Sequence, residues 1–325
     1  ARTANRDSPF VGSVRVLPRV SYGLARVQQE FGQSASTASL MVTAMHRHLD
    51  KADPLAALMA RSAFAVSHDG LLRFRGGRYQ LTTFGGVTFV NGEAAAIERT
   101  QRSAVRYLQR PDKDYAILDA TRTSLPGYKF GGGLERTSGR HWLWELRGDT
   151  ESPGFEPNEF GRLRAGDGFS NNATLTYRET RPGRLLRNYS IAANQTNEWN
   201  YGGNRQEGSV RNTTMLTWKN FWTTQFQVAS LFSALDQRLT RGGPLMEKPR
   251  GWSAYVQLRN NAAARTVWNG RLTVGGNAEG GRTRSFTGGL SLRPGPRWQV
   301  SMNPEFVREV VAQQYVTAVS GGRPE

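Results

Sequence analysis

A chain of 325 residues with only 38% hydrophobic residues has no obvious large dry core, and the absence of cysteine excludes disulfide bonds. No apolar run approaches the roughly 18 residues that a spanning helix needs, so insertion into a membrane through helices is excluded. The formal net charge of +17 suits a polyanionic partner such as lipopolysaccharide or nucleic acid, or a lumen that attracts anions.

Alternation of apolar and polar residues predicts strands in the first ninety residues. These are Val20 to Gln28, Ser39 to Met45, Gly70 to Gly76 and Arg78 to Val90. Gly76 and Gly77 provide a tight turn between the last two strands. The segment from Asp53 to Ala60 predicts one or two helical turns at a rim.

The segment from Glu93 to Leu108 predicts the one convincing helix of the chain. It consists of strong helix formers without Gly or Pro, and Arg110 and Pro111 follow it as a stop signal. The segment is too polar to span lipid. We therefore expect a plug or cap on the water side.

The clearest alternation follows in the segment from His141 to Asp149. One face carries residues predicted to face lipid, namely Trp142, Trp144 and Leu146. The other face carries residues predicted to face a lumen, namely Glu145, Arg147 and Asp149. Tyr128 to Glu135 is the predicted hairpin partner of this strand. A surface that is apolar outside and polar inside is typical of outer-membrane barrels.

Further strands are predicted over most of the remaining chain. They are Ala173 to Arg178, Leu185 to Asn194, Arg211 to Lys219, Trp222 to Ala234, Trp252 to Arg259, Thr266 to Gly275, Ser285 to Leu292, Trp298 to Asn303 and Val310 to Val319. Trp222, Phe226 and Trp252 are predicted to face lipid, whereas Gln257 and Arg259 are predicted to face the lumen.

The period-two pattern predicts an all-β fold, an antiparallel transmembrane β-barrel of roughly 12 to 16 strands with one short helix. Residues 1–325 form one barrel domain in this interpretation. We expect the barrel to be incomplete at both ends, because Ala1 follows no signal segment and Gly321 to Glu325 reads as a loop. A soluble β-sandwich or propeller is the alternative, but tryptophans near strand ends favour interfacial girdles.

No catalytic, metal or cofactor site stands out, so we do not predict an enzyme. His46 and His48 would share a strand face, but no third ligand follows at metal spacing. The carboxylates Glu145 and Asp149 are flanked by arginine, which favours ion pairing over acid and base catalysis. Nucleic acid is not a predicted partner, because the aromatic residues lie opposite the charges rather than among them.

Four segments resemble, in order, landmarks of an uncharacterised family of bacterial outer-membrane barrels. They are Tyr107 to Asp112, Ser152 to Gly161, Arg241 to Met246 and Gln314 to Val316. The likeness extends from about Arg19 onward. In that family the barrel often follows a periplasmic module that resembles family-nine carbohydrate-binding domains.

This resemblance implies a bacterial outer-membrane location, with outer-membrane lipid and lipopolysaccharide as partners. It also implies a channel, receptor or structural component linked to saccharide uptake or binding, without established catalytic residues. A saccharide ligand and other subunits of a membrane complex are further partners that it suggests. The alternative is a barrel that does not conduct and serves as a scaffold for a partner.

Overall fold

The computed structural model describes residues 2–3, 14–15, 17–50, 52–159, 161, 163, 166–314 and 316–317. The strands are β1 (Arg2–Thr3), β2 (Val14–Arg15), β3 (Arg19–Phe31), β4 (Ser36–His48), β5 (Ser62–Phe74), β6 (Tyr79–Asn91), β7 (Ser124–Arg136), β8 (Trp142–Glu151), β9 (Gly168–Glu179), β10 (Leu186–Trp199), β11 (Arg205–Trp218), β12 (Thr223–Leu231), β13 (Ala234–Asp236), β14 (Met246–Lys248), β15 (Gly251–Arg259), β16 (Thr266–Asn277), β17 (Arg282–Gly295), β18 (Trp298–Met302) and β19 (Glu305–Val310). A 3-10 turn covers Pro54–Ala57, and helix α1 covers Ala94–Gln101.

One antiparallel sheet of 15 strands dominates the molecule. Strands β3 to β12 pair in chain order, followed by β15, β16 and β17, and β17 pairs with both β18 and β19. Strands β13 and β14 form a separate hairpin, as do β1 and β2. The all-β antiparallel prediction is confirmed. In the described ranges β3 is not paired with β18 or β19, so the sheet is open there and a closed barrel stays a prediction.

Strand register gives this sheet two chemically different faces. Leu134 lies opposite Leu146, and Glu135 lies opposite Glu145, so each face keeps its character across neighbouring strands. We call the face that carries Leu146 the outer face and the face that carries Glu145 the inner face. The outer face is apolar and exposed over much of its area, whereas the inner face carries charged and polar side chains beside a small apolar cluster.

The connections between strands differ at the two ends of the sheet. At one end, the turn end, the connections are short: 32–35, 75–78, 137–141, 180–185, 219–222 and 260–265. At the other end, the cap end, several are long: 49–61, 92–123, 152–167 and 232–250, besides the short 200–204 and 278–281. The 3-10 turn, α1 and the β13–β14 hairpin all belong to the cap end.

The small hydrophobic core lies on the inner face at the cap end. Ile97 of α1 is fully buried there and packs in a cluster with Met45, Ala63, Val90 and Leu125. The helix thus covers the inner face, as the predicted cap requires. None of the helices in the described ranges has the length and apolar character to cross a membrane.

Helix α1 ends earlier than the prediction to Leu108. The buried Gln101 side chain donates to the Asp119 carbonyl at 2.8 Å, and the Ser103 hydroxyl donates to the Thr100 carbonyl at 2.7 Å. The Leu108 amide then binds the Gln101 carbonyl at 3.1 Å, which closes a turn instead of continuing the helix. Tertiary contacts override helix propensity here.

Most predicted strands exist, but they are longer than the sequence pattern indicates. The predicted strand from Gly70 begins at Ser62, because the first residues pair with β4 and β6. The predicted strand from Val310 to Val319 is wrong: the strand is Glu305–Val310, and residues 311–314 are not in a strand. Residues 318–319 lie outside the described ranges.

Candidate functional site: the inner face and its cap

Two rows of aromatic residues border the outer face. At the turn end Phe74 stacks on Tyr79 with ring centroids 5.5 Å apart, and Tyr79 lies 6.2 Å from Trp144. The row continues through the pair of Trp142 and Tyr177 at 5.1 Å and through Trp222 and Trp268 at 5.1 Å. Aromatic residues therefore follow the outer face at this end from β5 to β16.

The second aromatic row lies at the cap end of the same face. Phe169 stacks on Trp199 at 5.3 Å, and Trp252 lies near the start of β15. The distance between the two aromatic rows can be read along β8. Trp142 belongs to the first row, and Thr150 pairs with Phe169 of the second row. The two residues are eight positions apart, or about 26 Å along the strand. A strand tilt of about 40° reduces this to about 20 Å across the sheet, which is close to the apolar band of about 25 Å in membrane barrels.

Exposed apolar side chains occupy the outer face between the two aromatic rows. Leu146, Phe226 and Val228 are 54%, 45% and 60% exposed. The predicted lipid-facing residues Trp142, Trp144, Leu146, Phe226 and Trp252 all lie on this face by strand register, and Trp222 lies directly before β12. Contact of these residues with lipid remains a prediction.

The predicted lumen residues lie on the inner face, but in two separate groups. Glu145, Arg147 and Asp149 belong to β8, where Arg147 pairs with Glu145 and Asp149 accepts from Ser170 Oγ at 2.5 Å. Gln257 and Arg259 belong to β15, which four strands separate from β8. The structure therefore does not bring the two groups together into one site.

The inner face carries both signs of charge. Arg26 binds Asp69 at 3.1 Å, and Lys129 binds Glu151 at 2.9 Å and Asp149 at 3.3 Å. Carboxylates therefore accompany the cations on these strands, and a lumen that attracts anions stays a prediction.

Three of the four segments that carried the family resemblance meet at the cap end. Arg106 in the 92–123 connection pairs with Glu156 in the 152–167 connection at 2.8 Å, and both side chains are buried. The Arg106 guanidinium also donates to the carbonyls of Pro153 and Phe155 at 3.0 and 2.5 Å. Glu156 is in turn anchored to β6, since its amide donates to Thr88 Oγ1 at 2.9 Å.

A second buried ion pair joins the same connections. Lys113 Nζ lies 2.7 Å from Asp167 Oδ2, and neither side chain is exposed. Lys113 also donates to the Arg106 carbonyl at 3.0 Å, and the Tyr115 hydroxyl donates to Asp167 Oδ2 at 2.5 Å. We refer to Arg106, Lys113, Tyr115, Glu156 and Asp167 as the cap cluster.

The hairpin connection attaches to the cap through two further contacts. Arg110 Nη1 donates to Gln237 Oε1 at 3.1 Å, and the Leu245 amide donates to Asp112 Oδ2 at 2.5 Å. The segment Tyr107 to Asp112 thus binds the hairpin connection directly, and the residue before it, Arg106, binds the 152–167 connection.

Burial dominates the titration of the cap cluster. It lowers the pKa of Lys113 and of Arg106 below their usual values, although Asp167 and Glu156 act in the opposite direction. Burial, reinforced by the hydrogen bond to Asp167, raises the pKa of Tyr115. The cap therefore holds cations at a desolvation cost that their carboxylate partners and the backbone carbonyls offset.

A cavity of about 900 Å³ lies on the inner face between the first strands and the 152–167 connection. Tyr22, Phe84 and Phe155 contribute aromatic surface, and Lys129 and Glu159 contribute charge. Arg47 donates two hydrogen bonds to Glu159, one of the lining residues, at 3.1 and 2.5 Å. Cavities of this volume and mixed lining are typical of ligand sites.

Alternation could not predict the cap cluster, because its members lie in connections without a periodic pattern. Of the cluster, only Glu156 lies in one of the four segments that carried the family resemblance, and that resemblance gave no contact between segments. Among the described residues, no group of three or more His, Asp or Glu side chains has an arrangement that could hold a metal ion.

The large two-faced antiparallel sheet with an inward cap defines an all-β class of protein. Residues 90–319 match the family described as a domain of unknown function (DUF5916), and the chain belongs to this family. No curated protein and no solved structure matches the chain significantly. The family match carries no statement about membranes or about a carbohydrate-binding module, and both stay predictions.

Proposed function

We propose that the sheet is the wall of a β-barrel in the bacterial outer membrane, with its outer face in lipid and its inner face toward a lumen. The observation that carries this proposal is the exposed apolar outer face between two aromatic rows. In water, exposed apolar area of this extent would be a strong drive to associate. In a bilayer it matches the hydrocarbon, and the aromatic rows match the two interfaces.

Single spin labels test this orientation, because the chain has no native cysteine that would compete for the label. Leu146→Cys and Phe226→Cys place labels on the outer face, and Arg147→Cys and Gln227→Cys are matched controls on the inner face. We expect the first two labels in proteoliposomes to collide with lipid-soluble oxygen. The control labels should collide with a water-soluble nickel complex, and a reversed or equal pattern would contradict the proposal.

A receptor or channel is the leading function within this proposal. The inner cavity with Tyr22, Phe84 and Phe155 supports a ligand site, since aromatic faces beside a few polar groups bind small ligands. Saccharide uptake or binding rests on the family resemblance alone. Titration with oligosaccharides, compared between the native chain and Phe84→Ala, tests it: a ligand of this cavity should lose affinity in the variant.

The second candidate is a scaffold that does not conduct. The cap cluster favours it, because buried ion pairs hold the 92–123 and 152–167 connections across the inner face. Planar bilayers separate the two functions. A channel passes ions, whereas a lumen filled by the cap passes none until the cap is released, for example by Glu156→Ala.

A further inference from the structure

Three exposed arginines lie together on the outer face at the cap end. Arg282 and Arg284 are on β17, and Arg308 is on β19. Strand register places Arg308 directly opposite Arg284, and Val310 opposite Arg282. The arginines thus occupy the two outer-face rows nearest the cap end of these strands.

This arrangement brings like charges together on neighbouring strands. Residues directly opposite each other on antiparallel strands have Cβ atoms about 5 Å apart, and like charges there destabilise the pair. In the part of the chain that the structure describes, no ion pair involves these three arginines. The carboxylates of β19, Glu305 and Glu309, lie opposite Thr287 and Thr283 and therefore on the inner face.

The next rows of the outer face are apolar. Phe286 lies between Leu272 and Phe306, and both phenylalanines are exposed. Trp252 pairs with Gly276, and Gly276 pairs with Arg282, so Trp252 and Arg282 lie in the same row across the strands. A cluster of guanidinium groups beside an aromatic and aliphatic surface is complementary to a lipid with an anionic headgroup. The cations would contact the headgroup, and the apolar surface would contact the acyl chains.

We propose that Arg282, Arg284 and Arg308 bind the phosphate groups of an anionic membrane lipid. The inference rests on the proposed function, since it requires the outer face to lie in a bilayer. Guanidinium groups bind phosphate through paired, charge-assisted hydrogen bonds, which would also cancel the repulsion between Arg284 and Arg308.

The asymmetry of the connections assigns the leaflet. Outer-membrane barrels have short turns on the periplasmic side and long connections on the outside. The cap end and its three arginines therefore belong to the outer leaflet. The lipid there is a phosphorylated glycolipid, and bis-phosphorylated lipid A is the appropriate probe.

The test measures binding of lipid A to the full chain in detergent micelles. The variant carries Arg282→Gln, Arg284→Gln and Arg308→Gln, and the control carries Arg181→Gln, Arg184→Gln and Lys219→Gln. The control removes the same charge from exposed positions at the turn end. We expect the variant to bind lipid A about tenfold more weakly or worse, and the control to change by less than about twofold.

Further arms make the result specific. Dephosphorylated lipid A should bind weakly and equally to all chains. A triple Arg→Lys variant at the three positions keeps the charge but loses the paired hydrogen bonds, so its affinity should lie between those of the native chain and the Gln variant. Inorganic phosphate should bind weakly, since it lacks the acyl chains. Equal losses in variant and control, or tight binding of inorganic phosphate alone, would overturn the proposal. The spin-label experiment reports separately whether the outer face lies in lipid, so the two failures are distinguishable.

Discussion

Lys113 illustrates at the scale of one residue what holds the cap in place. Its ammonium group is fully buried and depends on Asp167 at 2.7 Å and on one carbonyl oxygen. A buried cation that loses its carboxylate partner cannot recover its hydration, so removal of one partner costs far more than the pair contributes.

Asp167→Asn should therefore destabilise the cap by about 3 to 5 kcal/mol. This loss of stability, relative to the native chain, should become smaller as pH rises from neutral to about 10. Burial already lowers the pKa of Lys113, and loss of the carboxylate lowers that pKa further. The folded state then binds fewer protons than the unfolded state, so its stability increases with pH.

Hydrogen exchange of the 92–123 connection measures this effect. Glu98→Gln is the control, because it breaks the partly exposed pair with Arg102 and should cost no more than about 0.5 kcal/mol. A deficit in Asp167→Asn that is independent of pH would contradict the electrostatic explanation.

Leu146 and Glu145 are neighbours in β8 that face opposite sides of the sheet. If the outer face lies in lipid, Leu146→Arg should cost roughly 2 to 4 kcal/mol near the midplane, because a cation then enters hydrocarbon. Glu145→Gln should cost much less. Folding titrations into lipid vesicles measure both, and equal costs would show that the assigned orientation is incorrect.

At the scale of elements, Ile97 is the residue by which α1 joins the core cluster on the sheet. Ile97→Ala should cost about 2 to 5 kcal/mol, since it leaves a cavity among Met45, Ala63 and Val90. The exposed Arg99→Ala is the matched control and keeps helix propensity high. Limited proteolysis in lipid should cleave the 92–123 connection faster in the first variant only, and equal rates would exclude α1 as the anchor.

Strand positions were largely predictable, because the period-two pattern survives wherever one face is apolar. Trp142, Trp144 and Leu146 gave β8 almost to its bounds, and Trp252 to Arg259 gave β15 within one residue. The pattern fails in β5, where Ala63 and Ala65 on the inner face are also apolar. It fails again near Val310, where pairing with β17 places the strand earlier.

The cap cluster was not predictable, for a different reason. Arg106 and Glu156 are distant in sequence, and only the pairing of β6, β7, β8 and β9 brings their connections to one end of the sheet. The helix pattern even placed Arg106 inside a continuous helix. Its long-range contacts to Pro153 and Phe155 instead fix it in a turn.

At the scale of the whole molecule, the net charge of +17 is not concentrated on the inner face. Ion pairs such as Arg26 with Asp69 balance the inner strands, whereas Arg282, Arg284 and Arg308 lie on the outer face. An open pore should therefore show only a weak preference for anions, and raising salt should remove it through screening.

Reversal potentials across a salt gradient measure this preference in planar bilayers. Arg147→Gln and Arg271→Gln should shift the reversal potential toward cations, because they remove inner-face charge. Arg282→Gln should leave it unchanged. A strongly anion-selective native pore would contradict this prediction and would mean that the excess positive charge lines the lumen.

The difference in connection length between the turn end and the cap end also has a kinetic consequence for insertion of the sheet into a bilayer. The short connections of the turn end stay on the periplasmic side in the assigned orientation and do not have to cross hydrocarbon. The cap end carries buried ionic partners that would each have to be desolvated alone if its long connections crossed unfolded. With the cap end in the outer leaflet, its long connections are the ones that cross from the periplasmic side. We expect this crossing to be the slow step of insertion and the buried ion pairs of the cap to form only after it.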